Sequence, residues 1–439
     1  MRLTLPSLVL LGMSLLAAGC DGNEGRTALP DVSVQVVHAA PNVGQVIFTR
    51  VRANATRLDF TQGATFSFDV DTYTFNFDIL DVDETVMRTI SLSATLVEDS
   101  IYFLILREVG GQPEPLLLER PAMNQGAGTE LEIVHAATTL SAVDVYVDLE
   151  PIDLMTANAR GAIDFDDVLN IPPLAEGNYE IVLTNAGNQA IVQFQSGPIG
   201  LAGSQGLLLV IVDGAGIGLS PLALALGDSN ATTVVDSNSQ SGIRVINALS
   251  DREAINVGID DQLTPPLITG VPFATASAFE LITPGDHDLN VEPTLMPGAV
   301  DIDEAFTAEV GLFQTWLVTG STGSMSATLF ADDFRVISGE SKLRVFHGSP
   351  QNGAVDIFVV TPGTDITAIV PTTIATSGAT SPNVRVAPDD YEITVTEQAT
   401  GAVLAGPIAA TIAADGYYGI LLTDAAAGTG LEVTLLFDF

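Results

Sequence analysis

Four histidines, one cysteine and a surplus of carboxylates are the side chains from which this 439-residue chain would build a reactive site. Three of the histidines close similar runs: Val34-Gln-Val-Val-His38, Leu131-Glu-Ile-Val-His135 and Leu343-Arg-Val-Phe-His347. A fourth run, Ile243-Arg-Val-Ile-Asn247, ends on an amide. A histidine that recurs in this way either binds a metal or makes a hydrogen bond at the rim of a core. Zinc needs several ligands within a few ångströms, and these histidines stand in different copies, which favours the structural role. Alternate residues of a strand share a face. His135 therefore lies with Leu131 and Ile133, and His347 with Leu343 and Val345, while Glu132, Arg244 and Arg344 point the other way. A second run follows each opening, degenerate around Val46-Ile-Phe-Thr49 in the first copy and otherwise Val143-Asp-Val-Tyr-Val147, Ile255-Asn-Val-Gly-Ile259 and Val355-Asp-Ile-Phe-Val359. The copies with His135 and His347 have Asp144 and Asp356 there, and the copy with Asn247 has Asn256. This co-occurrence predicts cross-strand hydrogen bonds His135–Asp144, Asn247–Asn256 and His347–Asp356.

The tyrosines Tyr73, Tyr179 and Tyr391 each follow a polar turn and begin a strand. Such a placement predicts a tyrosine corner, with the hydroxyl bonding back to the preceding turn. Carboxylates cluster at Asp301/Asp303/Glu304 and at Asp332/Asp333, the latter just before a repeat boundary. Calcium takes about six to eight oxygen ligands, so these five residues are weak calcium candidates. With 54 acidic residues in the chain, such clusters also arise by chance. There is no G-x-S-x-G elbow, H-E-x-x-H helix or Walker A loop. Gly214-Ala-Gly216-Ile-Gly218 fits a turn rather than a dinucleotide fingerprint. The expectation is a protein that is not an enzyme and has no catalytic residues, calcium being the one cofactor left open.

The elements that must hold these residues are short runs rich in Val, Ile, Tyr, Phe and Thr, broken by Gly, Pro, Asn and Asp. That pattern predicts an all-β chain of antiparallel β-sandwiches. The openings recur with a period of roughly 100 residues, which is domain duplication rather than a solenoid. Four tandem immunoglobulin-like sandwiches are expected, at residues 33–122, 130–228, 242–337 and 342–439. Connections are expected near 120–129, 227–241 and 338–342, the middle one the most flexible. Laid end to end, such domains would reach on the order of 130 Å. Trp316 alternates with apolar neighbours in Phe313-Gln-Thr-Trp-Leu-Val318 and reads as core. The openings and the later Gly/Asp-x-Tyr strand resemble the bacterial family called domain of unknown function 4397. The second and fourth copies match its pattern. The first lacks the Asp-hydrophobic-Tyr strand, and the third carries Asn247 and His287 in place of His and Tyr. The resemblance implies an exported, often lipid-anchored protein and supplies no activity.

The lone cysteine, Cys20, follows Leu16-Ala-Ala-Gly19 at the end of a short apolar stretch behind Met1-Arg2. A charged start, an apolar core and small residues before the cut describe a secretory signal peptide. The small-small-Cys ending resembles a bacterial lipobox, which implies a leader of residues 1–19, a linker of 20–32 and a diacylglyceryl group on Cys20. The net charge of −39 repels nucleic acid and anionic headgroups, so contact with a membrane is expected only through the lipid. At 47 % hydrophobic residues the chain is too apolar for an acidic disordered polymer. The reading is a lipid-anchored cell-envelope protein that presents binding or spacer domains to an extracellular protein or carbohydrate. Its alternatives are an accessory module of a carbohydrate-active or calcium-dependent enzyme, and a periplasmic assembly factor. Asp21 resembles an inner-membrane retention signal, so the membrane and its face stay open.

Overall fold

Each of the four openings folds as a strand, Asp31–His38, Thr129–His135, Ser241–Leu249 and Ser341–His347, because β-branched residues recur along it; Ala or Gly follows the strand in three copies, whereas the third runs on through Ala248 to Leu249. The computed structural model describes residues 31–50, 55–121, 128–203, 206–215, 221–227, 231–251, 253–321, 323–425 and 430–437. Among them the chain is all-β, with one 3-10 turn at Ile366–Ala368. Eight sheets form and face one another in pairs around four hydrophobic clusters. In the second sandwich, for example, Leu131 and Ile133 of one sheet meet Val143, Val145 and Val147 of the other. Trp316 sits in the third cluster.

The sandwiches are not purely antiparallel. Every opening strand lies parallel to a late strand: Ser100–Val109, Gly206–Val212, Phe313–Ser321 and Tyr417–Asp424 respectively. A parallel pair needs a long connection, and here that connection builds the opposite sheet. The late strand then turns back into an antiparallel partner. In the first, third and fourth sandwiches the chain therefore enters and leaves this sheet at the same end.

That geometry overturns the end-to-end arrangement. The first and second sandwiches pack side by side through their opening-strand sheets, as do the third and fourth. Arg335 and Ser338, between the third and fourth sandwiches, reach the first, where Arg335 donates to the Val43 carbonyl at 3.0 Å and pairs with Asp59 at 2.5 Å. The Ser338 amide meets the Asn42 carbonyl at 2.9 Å, and Arg385 donates to the Leu80 carbonyl at 3.0 Å. The described part of the middle connection is likewise tied down. Thr232–Val234 adds an edge strand to the second sandwich, and Asp236 accepts the Gln195 amide at 3.1 Å. A polar composition read as a flexible linker is instead an edge strand held by its side chains.

Candidate functional site

Built upward from the openings, the motif side chains converge on one recurrent arrangement. His38 bonds the Gly44 carbonyl at 2.9 Å, His135 the Ser141 carbonyl at 3.3 Å and His347 the Gly353 carbonyl at 2.7 Å, each through Nε2. Asn247 donates Nδ2 to the Glu253 carbonyl at 2.7 Å. All four acceptors lie six positions downstream of the motif residue, so the side chain pins the loop that carries the chain into the second sheet. Three of these loops are also gripped by an acid at the end of the late strand. Glu108 accepts the Asn42 amide at 2.9 Å, Asp213 accepts both Thr138 and Thr139, and Asp424 accepts the Ser349 hydroxyl. These acids were missed in the sequence, although each follows a long apolar run and recurs at the same place.

The expected His–Asp pairing does not form. The opening strand and the second strand belong to opposite sheets rather than adjacent strands, and Asp144 and Asp356 alternate with core residues and face outward. Asp144 accepts the Gly187 amide at 2.7 Å, and Asp356 accepts Gln398 Nε2 at 3.2 Å. Asn256 bonds Glu292 at 3.1 Å and the Gly270 amide at 2.9 Å, not Asn247. Burial makes His38 and His347 poor bases. Desolvation lowers the pKa of His38 to about 4 and also lowers that of His347, in both cases against the pull of the carbonyl they bond.

The tyrosine corner forms in two copies. Tyr73 donates to the Asp69 carbonyl at 3.1 Å, and Tyr391 to the Ala387 carbonyl at 2.8 Å. Tyr179 packs into the second core and makes no such return bond among the described residues. The third copy keeps the corner with a different side chain: His287 Nε2 meets the Thr283 carbonyl at 2.8 Å, again four residues back. Its other nitrogen, Nδ1, lies 2.8 Å from Asp260. Both partners are acceptors, so only the doubly protonated ring satisfies them. Burial opposes that charge, but the bonds to Asp260 and Thr283 outweigh it and raise the pKa of His287. Beside this pair opens a cleft of about 420 Å³ walled by Ile259, Pro265, Pro266, Leu267 and Ile282.

Asp332 and Asp333 are occupied by cations of the chain itself. Asp332 is buried and accepts Arg344 at 2.9 Å and the Thr315 hydroxyl at 2.5 Å. Asp333 pairs with Lys342, the chain's only lysine, at 2.6 Å. Asp303 accepts Asn290 Nδ2 at 3.3 Å, and its neighbours Asp301 and Glu304 join it in no ligand set. Among the described residues no three His, Cys, Asp or Glu side chains group as metal ligands. Cys20, the leader and the expected linker up to residue 30 lie outside the described residues, and Asp31 and Val32, the end of that expected linker, belong to the first strand.

Residues 241–358 match the family described as Domain of unknown function (DUF4397). The match spans the third sandwich and continues into the second strand of the fourth, beginning on the copy that departs from the histidine motif. No curated protein matches the chain. Among solved structures it is similar to the Bacillus anthracis TIE protein, with 10 % identity over 86 % of this chain and a TM-score of 0.15. The chain spans 65 % of that protein's length, and at this TM-score the likeness says nothing about fold or function.

Proposed function

We propose that this protein is a non-catalytic, lipid-anchored component of the bacterial cell envelope whose tandem immunoglobulin-like domains present binding or spacer surfaces. The domains are taken as 33–122, 130–228, 242–337 and 342–439, behind an anchor at Cys20. The observation that carries this reading is the use of the motif side chains. His38, His135, Asn247 and His347 are spent on their own loops, and Asp332 and Asp333 on Arg344 and Lys342. What repeats is a scaffold, and binding on such a scaffold falls to its loops and edges. The acidic surface directs it to protein or carbohydrate rather than nucleic acid. Protease treatment of intact and lysed host cells tests the placement. Digestion on intact cells supports an adhesive or matrix-facing role. Protection until lysis moves the protein to the periplasm and favours an assembly role.

A second reading, an accessory ligand-binding module, is favoured by the cleft beside His287 and Asp260. Its volume suits a small ligand, and it combines apolar walls with a charged floor. Glycan-array binding that is abolished by Leu267→Arg is its test.

A further inference from the structure

The two side-by-side contacts share no residue, yet they use the same positions. In the lower contact, Val37 and Ala39 of the first sandwich lie in one apolar cluster with Val134 and Ala136 of the second. In the upper contact, Ile246 and Ala248 of the third meet Phe346 of the fourth, and Gly348 lies against Ala248. Relative to His38, His135, Asn247 and His347, these are the residues immediately before and after the motif side chain. The late parallel strands add residues at equivalent positions to the same clusters, Ile105 and Val210 below and Leu317 and Leu421 above.

Strand alternation explains the coincidence. The motif residue faces its own core, so its two neighbours face the other side of the sheet. In a lone sandwich they would leave an apolar strip open to water. The residue after the motif is small in every copy, Ala39, Ala136, Ala248 or Gly348, and lets the sheets approach. At Gly348 the approach leaves no room for a side chain: a methyl added there would fall on the methyl of Ala248. The polar groups at the two contacts differ. Arg107 pairs with Asp166 across the lower one, whereas Arg344 reaches Asp332 and the Ala331 carbonyl across the upper one.

We propose that the outer face of each opening strand is a homotypic docking surface whose partner is the same face of another repeat, so that the sandwiches are stable in twos, first with second and third with fourth. The small residue after the motif polar residue is the contact that sets the approach. The distinct ion pairs sort the partners, because a first-with-third pairing would take Asp166 from Arg107, leaving it only Glu114 of its own sandwich, and the buried Asp332 from Arg344. This surface stands whether or not the chain is anchored at an envelope.

The test uses hydrogen exchange on the full chain. Gly348→Ala should lower amide protection by about tenfold in strands 241–249 and 341–347 together, leaving 31–38 and 129–135 unchanged. Ala248→Gly in the same chain should restore both strands, because it removes the methyl that collides. A loss confined to the fourth sandwich, or no rescue by Ala248→Gly, would overturn the proposal. In the lower pair, Val37→Asp should open 31–38 and 129–135 together. Undiminished protection of 129–135 in that variant would equally defeat it.

Discussion

His38 makes acid stability a sharp test of the loop-pinning role. Its ring is fully buried, Nε2 donates to the Gly44 carbonyl, and Nδ1 accepts the Ala40 amide at 3.3 Å. Both nitrogens are thus committed to one neutral tautomer, and a second proton would face an N–H group. Desolvation is the main cause of the fall in pKa from 6.5 to about 4; Arg335 adds to it, and the Gly44 carbonyl and Asp59 oppose it. Between these two values the unfolded chain binds the proton and the folded chain refuses it. The stabilisation is therefore complete above pH 6.5 and is lost as pH falls towards 4. The difference corresponds to about 3 kcal/mol, or roughly a hundredfold in local opening. Carboxylates titrate over part of the same range, so the comparison must be with a variant that keeps the bonds and loses the titration. Asn247 supplies the design: it donates to the Glu253 carbonyl and accepts the Leu249 amide at 3.1 Å, the same two bonds. His38→Asn should leave exchange protection of strand 31–38 unchanged at pH 7.5 and exceed the wild type by about a hundredfold near pH 4. Identical acid profiles for the two proteins, or a His38 imidazole titrating near 6.5 by NMR, would refute the reasoning.

The corner at His287 should show the opposite sign. Its raised pKa gives a stabilisation complete below pH 6.5 and lost as pH climbs through the folded value. His287→Tyr, the residue found at the equivalent corners, should abolish that alkaline loss in exchange measurements on strand 285–293. Asp332→Ala leaves Arg344 and Thr315 without their shared carboxylate in a buried contact and should destabilise the upper pair by about 3–5 kcal/mol in urea titrations. Added calcium should not alter the wild-type transition if Asp332 and Asp333 serve only as ion-pair partners. Tyr391→Phe should cost about 1 kcal/mol by loss of the bond to Ala387, whereas Tyr179→Phe should cost far less.

Local rules made much of this readable from sequence. Alternation located the opening strands and placed their histidines on the core side, and the i−4 return bond of Tyr73 and Tyr391 depends only on the turn before them. The His–Asp pairing failed because residues that recur together in a repeat need not touch. Here alternation sends Asp144 outward from a sheet that His135 does not belong to. The side-by-side packing was hidden for a related reason. Arg244 and Arg344 on the outer face suggest solvent, yet both are buried, Arg244 against Phe279 at 4.7 Å and Arg344 on Asp332. The visible clue was the late strand Gly206-Leu-Leu-Leu-Val-Ile-Val212, apolar at successive positions, which marks a strand covered on both faces. His287 was noted only as a departure from tyrosine, since nothing local reveals Asp260 beside it.

The parallel pairing of opening and late strands also governs how the molecule comes to be folded. Ser33 sits opposite Ile101 and Lys342 opposite Tyr417, so no sandwich can finish its first sheet until nearly the whole repeat is available. Such high contact order slows folding and leaves apolar strand edges unpaired in the meantime. A chain carrying a net charge of −39 repels its neighbours throughout that interval. The acidity then acts as a colloidal safeguard for a slow-folding nascent chain, protecting it before any mature surface exists.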